Sequence, residues 1–358
     1  MMTFAQLGRL SLQMQMLYVQ GVNSGSKPDD PVELPNNDLT FSVSEFPKTP
    51  TIKICAEAFL NLKKYTVRQS TYYRYIRCFK NTVLPFFGDM QLNTVSGKVV
   101  QEFVNAMLRQ GMNPKAIKYC VTMLKSVLLC AEADGVITMP VIRPHYPKQC
   151  KQERPILSDE DFDRLSDYLL QENSSISTAL LIVMHTGIRL GEACALQWSD
   201  MDFKTNSIYI RYSVKRYYIP DEKRTICELG EPKTSKSKRR IYVSQWLADI
   251  LRQRQETGFI CTGADRFCSP ETMRNTLNRR LKQLNIPHIR FHDLRHGFAT
   301  RAITGAGIDP KTVAEILGHE HCDITLDIYT SCTAQMQVEA MEKIQERKSE
   351  SYEKFWNC

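Results

Sequence analysis

From residue 53 onward, apolar and polar positions alternate with a helical period in four successive blocks: KICAEAFLNLKK, STYYRYIRCFKNTVLPFF, KVVQEFVNAMLRQ and NPKAIKYCVTMLKSVLLCAEADG. They predict a compact four-helix unit spanning 51–140. The residues before it, 1–50, read as a flexible extension, because 21–50 is rich in Pro, Asn, Ser and Asp and sustains no period. After it, PVIRPHYPKQCKQERP carries four prolines, which predicts an extended linker over 141–156.

A second domain, 157–335, opens at Ser158, where S-D-E-D before FDRLSDYLL reads as a capping box. Helices are predicted through STALLIVMHTG and RLGEACALQW. The period then shortens to two in NSIYIRYSV and RRIYV, which predicts strands joined by a long polar turn or hairpin. Helical patterns return in WLADILRQRQ, PETMRNTLNRRLKQL, HDLRHGFATRAI and DPKTVAEILGH. In the last, Asp309, Pro310 and Gly318 supply the cap, the first-turn proline and the terminator. In the tail, 336–358, Met336, Ala340 and Ile344 share one helical face, suited either to the chain's own core or to a neighbouring protomer. The fold class is therefore mainly α with a small β-sheet.

Composition narrows the class. At 358 residues and 42% hydrophobic content the chain can fill two cores. No apolar run approaches the roughly 20 residues of a membrane span, and no signal peptide opens the chain, so a cytoplasmic protein is expected. The 12 cysteines are scattered without a C-x-x-C pair and are expected to be reduced, mostly buried or inert. His319, His321 and Cys322 are the one local cluster of metal-ligand types, but adjacent His and Cys aim poorly at one ion.

Charge adds a partner. The net +8 is concentrated: 51–150 holds 14 basic against 5 acidic residues, and 151–358 holds 30 against 29. On the second and fourth helices Tyr72, Tyr73, Arg74, Arg77 and Lys80, then Lys115, Lys118 and Lys125, stand among apolar positions. Such residues can be a merely solvated face; the skewed charge favours a surface that lies against DNA.

Four stretches of the second domain hold the candidate chemistry: TGIRLGE (186–192), PKTSKSKRR (232–240), HDLRHGFAT (292–300) and LGHEHCDITLDIYT (317–330). Each alone has an ordinary explanation. Arg189 can anchor a helix, Lys233 can be one charge in a turn, and His292 with Arg295 can be a helix pair. Together they supply what phosphoryl transfer needs. Arg189 and Arg295 can each grip phosphate oxygens with a planar fork and neutralise charge building on five-coordinate phosphorus. The phenol of Tyr329 needs help to ionise, and His292 is the natural base. Lys233, with Lys236 and Lys238 as alternatives on the same hairpin, can protonate a leaving 5′-oxygen. His319 can donate to the phosphate, and Glu192 can orient neighbouring cations. No carboxylate cluster suits Mg²⁺, which argues against a metal nuclease.

The T-G-x-R-x-G-E, H-x-L-R-H, L-G-H and terminal Tyr motifs, in this order, resemble those of the tyrosine recombinases, the phage integrase family. The resemblance covers roughly 50–335, and its length and PKT hairpin are most similar to integrases of phages and conjugative transposons. It implies a helical, SAM-like core-binding domain and a catalytic domain of the α+β DNA breaking-rejoining fold. It also implies an active site of Arg189, Lys233, His292, Arg295 and His319, with Tyr329 as the nucleophile that becomes joined to a DNA 3′-phosphate. The expected partners are double-stranded recombination sites, a homotetramer on DNA, and accessory DNA-bending or directionality proteins; no cofactor is expected, and the expected location is the cytoplasm, in association with the nucleoid. Two rivals share these residues: a monomeric DNA-relaxing topoisomerase and a DNA-binding regulator that has lost catalysis.

Overall fold

The computed structural model describes residues 49–148, 156–220, 222–232 and 237–318. The expectations for residues 1–48, Lys233, Lys236, His319, His321, Cys322, Tyr329 and the tail lie outside the described residues. The described residues form two compact units, 49–148 with 217–225, and 156–216 with 226–318. The tip of the predicted hairpin thus clusters with the first unit, although the sequence pattern placed the whole hairpin in the second.

The first unit is helical, as its periodicity predicts. Helix α1 (Ile52–Thr66) buries Ile52, Cys55, Ala56 and Phe59, positions spaced by one turn. Helix α2 (Gln69–Cys78) continues through a wide π-type turn, Phe79–Val83, into α3 (Leu84–Phe87). The block read as a single helix is therefore interrupted. Pro85 has no N–H to offer the preceding turn, and the Leu84 N–H reaches back five residues to the Phe79 carbonyl.

Ser96 and Asn113 cap α4 (Gly97–Arg109) and α5 (Pro114–Ala133), accepting from the Val99 and Lys115 N–H groups. Phe79, Phe87, Phe103, Leu124 and Leu128 fill the core between these helices, with the rings of Phe87 and Phe103 centred 5.0 Å apart. The start of the predicted linker is fastened to this unit. Ile142 is buried, its carbonyl accepts from the Lys125 ammonium at 2.7 Å, and the His145 N–H donates to Gln101 at 2.8 Å.

In the second unit, Ser158 caps α6 (Asp159–Glu172) by accepting from the Asp161 N–H. Helix α7 (Ser175–Thr186) is buried along most of its length and ends at Gly187 in the left-handed region. Short α8 (Leu190–Ala195) leads into a three-stranded antiparallel sheet of β1 (Met201–Asp202), β2 (Ser207–Ile210) and β5 (Arg239–Tyr242), in the order β1-β2-β5. Strands β3 (Ser213–Ile219) and β4 (Arg224–Gly230) form a separate two-stranded ribbon.

NSIYIRYSV is thus two strands. The chain leaves the sheet at Arg211, whose guanidinium pairs with the buried carboxylate of Asp200. Helices α9 (Gln245–Gln253), α10 (Pro270–Gln283), α11 (Phe291–Thr300) and α12 (Pro310–Leu317) follow. Asp309 caps α12 and Gly318 ends it at φ 67°. The core centres on α7, around Leu180, Leu181, Ile182 and Val183. The eight described cysteines are free, six of them buried. No described helix is long and apolar enough to cross a membrane.

Candidate active site

All four motif stretches contribute residues at the C-terminal ends of α7 and α12. Gly187 closes α7 at φ 64°, and a Cβ there would stand 2.7 Å from both Leu317 and Phe298. Only glycine satisfies both the backbone and the packing at this corner. The turn delivers Arg189 to the start of α8. One turn on, the Glu192 carboxylate accepts from the Arg189 N–H at 3.0 Å and from its Nη1 at 2.8 Å. The close fit of α8 against β3 requires Gly191, where a Cβ would fall 2.6 Å from the Val214 carbonyl oxygen.

Arg295 lies on α11 and is 2% exposed. Its Nη1 donates to the Gly187 carbonyl at 2.9 Å and its Nη2 to the Leu317 carbonyl at 2.8 Å. Arg189 Nη2 donates to the next carbonyl, Gly318, at 2.7 Å. A third arginine completes the row: Arg239, the first residue of β5, donates from Nε to the Ile316 carbonyl at 2.7 Å. Three guanidiniums therefore hold three successive carbonyls at the negative end of α12. Arg239 also spans both oxygens of Glu192, at 3.2 and 3.1 Å.

Sequence reasoning missed Arg239, which was one basic residue of K-S-K-R-R. The available signal was alternation: Arg239 and Ile241 face inward on β5, whereas Arg240 and Tyr242 are exposed.

Electrostatics follows from burial. Desolvation pushes the Glu192 carboxyl up, but the charge and hydrogen bonds of Arg239, then those of Arg189, outweigh it and leave the group below its ordinary value. Burial pulls Arg295 down to about 9, helped by the charges of Arg189 and Arg239 and opposed by Glu192. At neutral pH it stays cationic. The cluster carries three positive charges and one negative, with the Arg189 side chain 36% exposed, the most open of the ion-paired members.

His292 is exposed on α11, one turn before Arg295, and its ring meets that of His296 edge-on at 4.6 Å. The expected set is thus represented among the described residues by Arg189, Glu192, His292 and Arg295. Lys238, an alternative to Lys233, instead pairs with Glu231 at 2.6 Å. Among the described residues no group of His, Cys, Asp and Glu side chains converges as a metal site.

In the helical unit, Arg74, Arg77, Lys80, Lys115 and Lys118 are exposed. The Arg74 guanidinium stands over the Tyr119 ring at 5.0 Å, so the basic positions of α2 and α5 border one another. Lys125 differs, being half-buried and bound to the Ile142 carbonyl.

The profile of the phage integrase family matches residues 156–336, and that of the phage integrase N-terminal SAM-like domain matches 51–108. A XerC-like tyrosine recombinase of Caldanaerobacter subterraneus subsp. tengcongensis is 25% identical over 310 residues, 77% of this chain and 78% of its own length. Among solved structures, the Tn1549 transposon integrase in complex with a circular intermediate DNA superposes with a TM-score of 0.66 at 20% identity, covering 82% of this chain and 99% of that one. A lambda integrase tetramer bound to a Holliday junction gives 0.59 at 16% identity, over 78% and 77% of the two chains.

Proposed function

The chain belongs to the phage integrase family and is a tyrosine site-specific recombinase; on that premise we propose that the arginine cluster at the end of α12 receives the scissile phosphate of a mobile element's recombination site. One observation carries this reading. Arg189 and Arg295, 106 positions apart along the chain, both bind the turn Leu317–Gly318 from which the chain runs on to His319 and Tyr329.

In the proposed step the Tyr329 oxygen attacks phosphorus and gives its proton to His292. The bond from phosphorus to the 5′-oxygen breaks, and that oxygen leaves as a hydroxyl with a proton from Lys233. The product is a 3′-phosphotyrosine. Attack by the 5′-hydroxyl of a partner strand reverses the step, so each stage exchanges one ester for another and no energy source is consumed. Arg189 and Arg295 neutralise charge that builds on the phosphoryl oxygens, and His319 donates to one of them. Four protomers on two DNA sites, assisted by accessory DNA-bending or directionality proteins, fit strand exchange. Arg74, Arg77, Lys80, Lys115 and Lys118 supply phosphate contacts from the helical unit.

A nicked duplex, taken from the segment that the wild-type chain protects in DNA flanking its own gene, tests this. With EDTA present, the wild-type chain is expected to form a covalent adduct and Tyr329→Phe none. An adduct that survives the substitution contradicts the reading, as does relaxation of plasmids that lack any such segment.

A further inference from the structure

Arg239 is built into the arginine cluster in a way that leaves it little to offer DNA. Its side chain is 8% exposed, against 36% for Arg189. Nε is occupied by the Ile316 carbonyl, Nη1 by Glu192 and the Ser237 carbonyl, and Nη2 by the other oxygen of Glu192. Four of the five N–H groups of a guanidinium are thereby used inside the protein. Glu192, 2% exposed, is in turn shared between Arg239 and the more open Arg189.

We propose that Arg239 is a positioning residue that carries the counter-charge of Glu192, leaving the charge of Arg189 available to the scissile phosphate. The inference rests on the recombinase reading. A phosphodiester brings one negative charge and its five-coordinate state two, and Arg189 with Arg295 match the second only while Glu192 is neutralised by another group. Arg239 does this with a planar fork that reaches both carboxylate oxygens and the end of α12 at once, a geometry a lysine ammonium does not reproduce. The glycine of the L-G-H motif makes room for it: a Cβ on Gly318 would lie 2.9 Å from Arg239 Cδ. The same guanidinium ties β5, and so the return of the hairpin that carries Lys233, to the turn before His319.

The test is a double-mutant cycle read as the single-turnover rate of adduct formation on the nicked duplex at saturating protein, with DNA affinity measured separately. Arg239→Met is expected to slow cleavage on the order of 10²-fold while leaving affinity within about 3-fold, because a buried carboxylate then takes up Arg189. In a Glu192→Gln background the same Arg239→Met change is expected to cost at least about tenfold less, since no carboxylate remains to compensate. Arg239→Lys is expected to recover part of the rate at neutral pH.

Equal losses in the two backgrounds overturn the proposal. They would mean that Arg239 acts through its bonds to Ile316 and Ser237, which both backgrounds lose. A wild-type rate in Arg239→Met overturns it too. Should Arg239→Met not fold, the double variant decides: cleavage within about tenfold of Glu192→Gln alone supports the role, and a greater loss overturns it. A wild-type chain that forms no adduct overturns the recombinase reading itself, a result distinct from any of these.

Discussion

Arg189 reaches across 129 residues of sequence to the carbonyl of Gly318, at 2.7 Å, and so ties the start of α8 to the end of α12. With Arg295 on Leu317 and Arg239 on Ile316, the three carbonyls from 316 to 318 are each held by a guanidinium from a different element. The turn before His319 is consequently part of the framework of the proposed phosphate pocket.

Glycines at this framework are expected to be less replaceable than glycines of the same backbone conformation elsewhere. Gly111 has φ 76°, and a Cβ there would meet nothing within 4 Å, so Gly111→Ala carries only the left-handed backbone cost of about 1–2 kcal/mol. Gly187→Ala adds collisions with Leu317 and Phe298 at 2.7 Å. Thermal unfolding monitored by circular dichroism should show a clearly larger fall for Gly187→Ala, at roughly 2–4 °C per kcal/mol. Equal shifts would contradict the packing argument.

His185 gives an acid limb to stability. It packs against Phe162 and Trp246, and burial, with the charge of Arg301, pulls its imidazole down to about 4. The unfolded chain binds this proton near pH 6.5 and the folded chain only near 4. The contribution is therefore complete above pH 6.5 and is lost as pH falls toward 4, on the order of 3 kcal/mol. His185→Gln should flatten the melting temperature over that window. An unchanged slope would place the acid sensitivity in other groups.

Glu192 acts lower. Its folded-state value lies below the ordinary carboxylate range, so its stabilisation is present above the unfolded value of about 4.3 and is lost as pH falls through the folded one. Glu192→Gln should remove that part of acid denaturation below about pH 4 while leaving the His185 limb in place. Urea midpoints between about pH 2 and 6 separate the two.

The basic residues of α5 should divide by behaviour. Lys118 is exposed, and Lys118→Ala should weaken DNA binding uniformly and lower the slope of log affinity against log salt by about one. Lys125 holds the Ile142 carbonyl, so Lys125→Ala should lower stability by about 1 kcal/mol and leave the salt slope unchanged. Equal salt slopes for the two variants would contradict this division.

Helices were legible because their ends are written in the chain. Ser158, Asp309 with Pro310, and Gly318 stand where the structure caps, starts and stops α6 and α12. The π turn before Pro85 and the break at Arg211 were not, since one depends on which carbonyl Leu84 finds and the other on an ion pair with Asp200. In the candidate site, Arg189 makes the ordinary helix-start ion pair with Glu192 and also reaches the Gly318 carbonyl, so the structural reading of this residue does not exclude the functional one. Arg239 stayed hidden because linear order sets it among four other basic residues of the hairpin, and only its inward face on β5 distinguishes it.

The central claim is that Arg189 and Arg295 act by neutralising charge on the scissile phosphate, and removing that charge from the DNA tests it most directly. Arg295→Ala should cleave a normal phosphodiester on the order of 10²-fold more slowly than the wild-type chain, yet recover most of that loss on a duplex whose scissile position carries an uncharged methylphosphonate. An Arg295→Ala defect of the same size on both substrates would contradict the account.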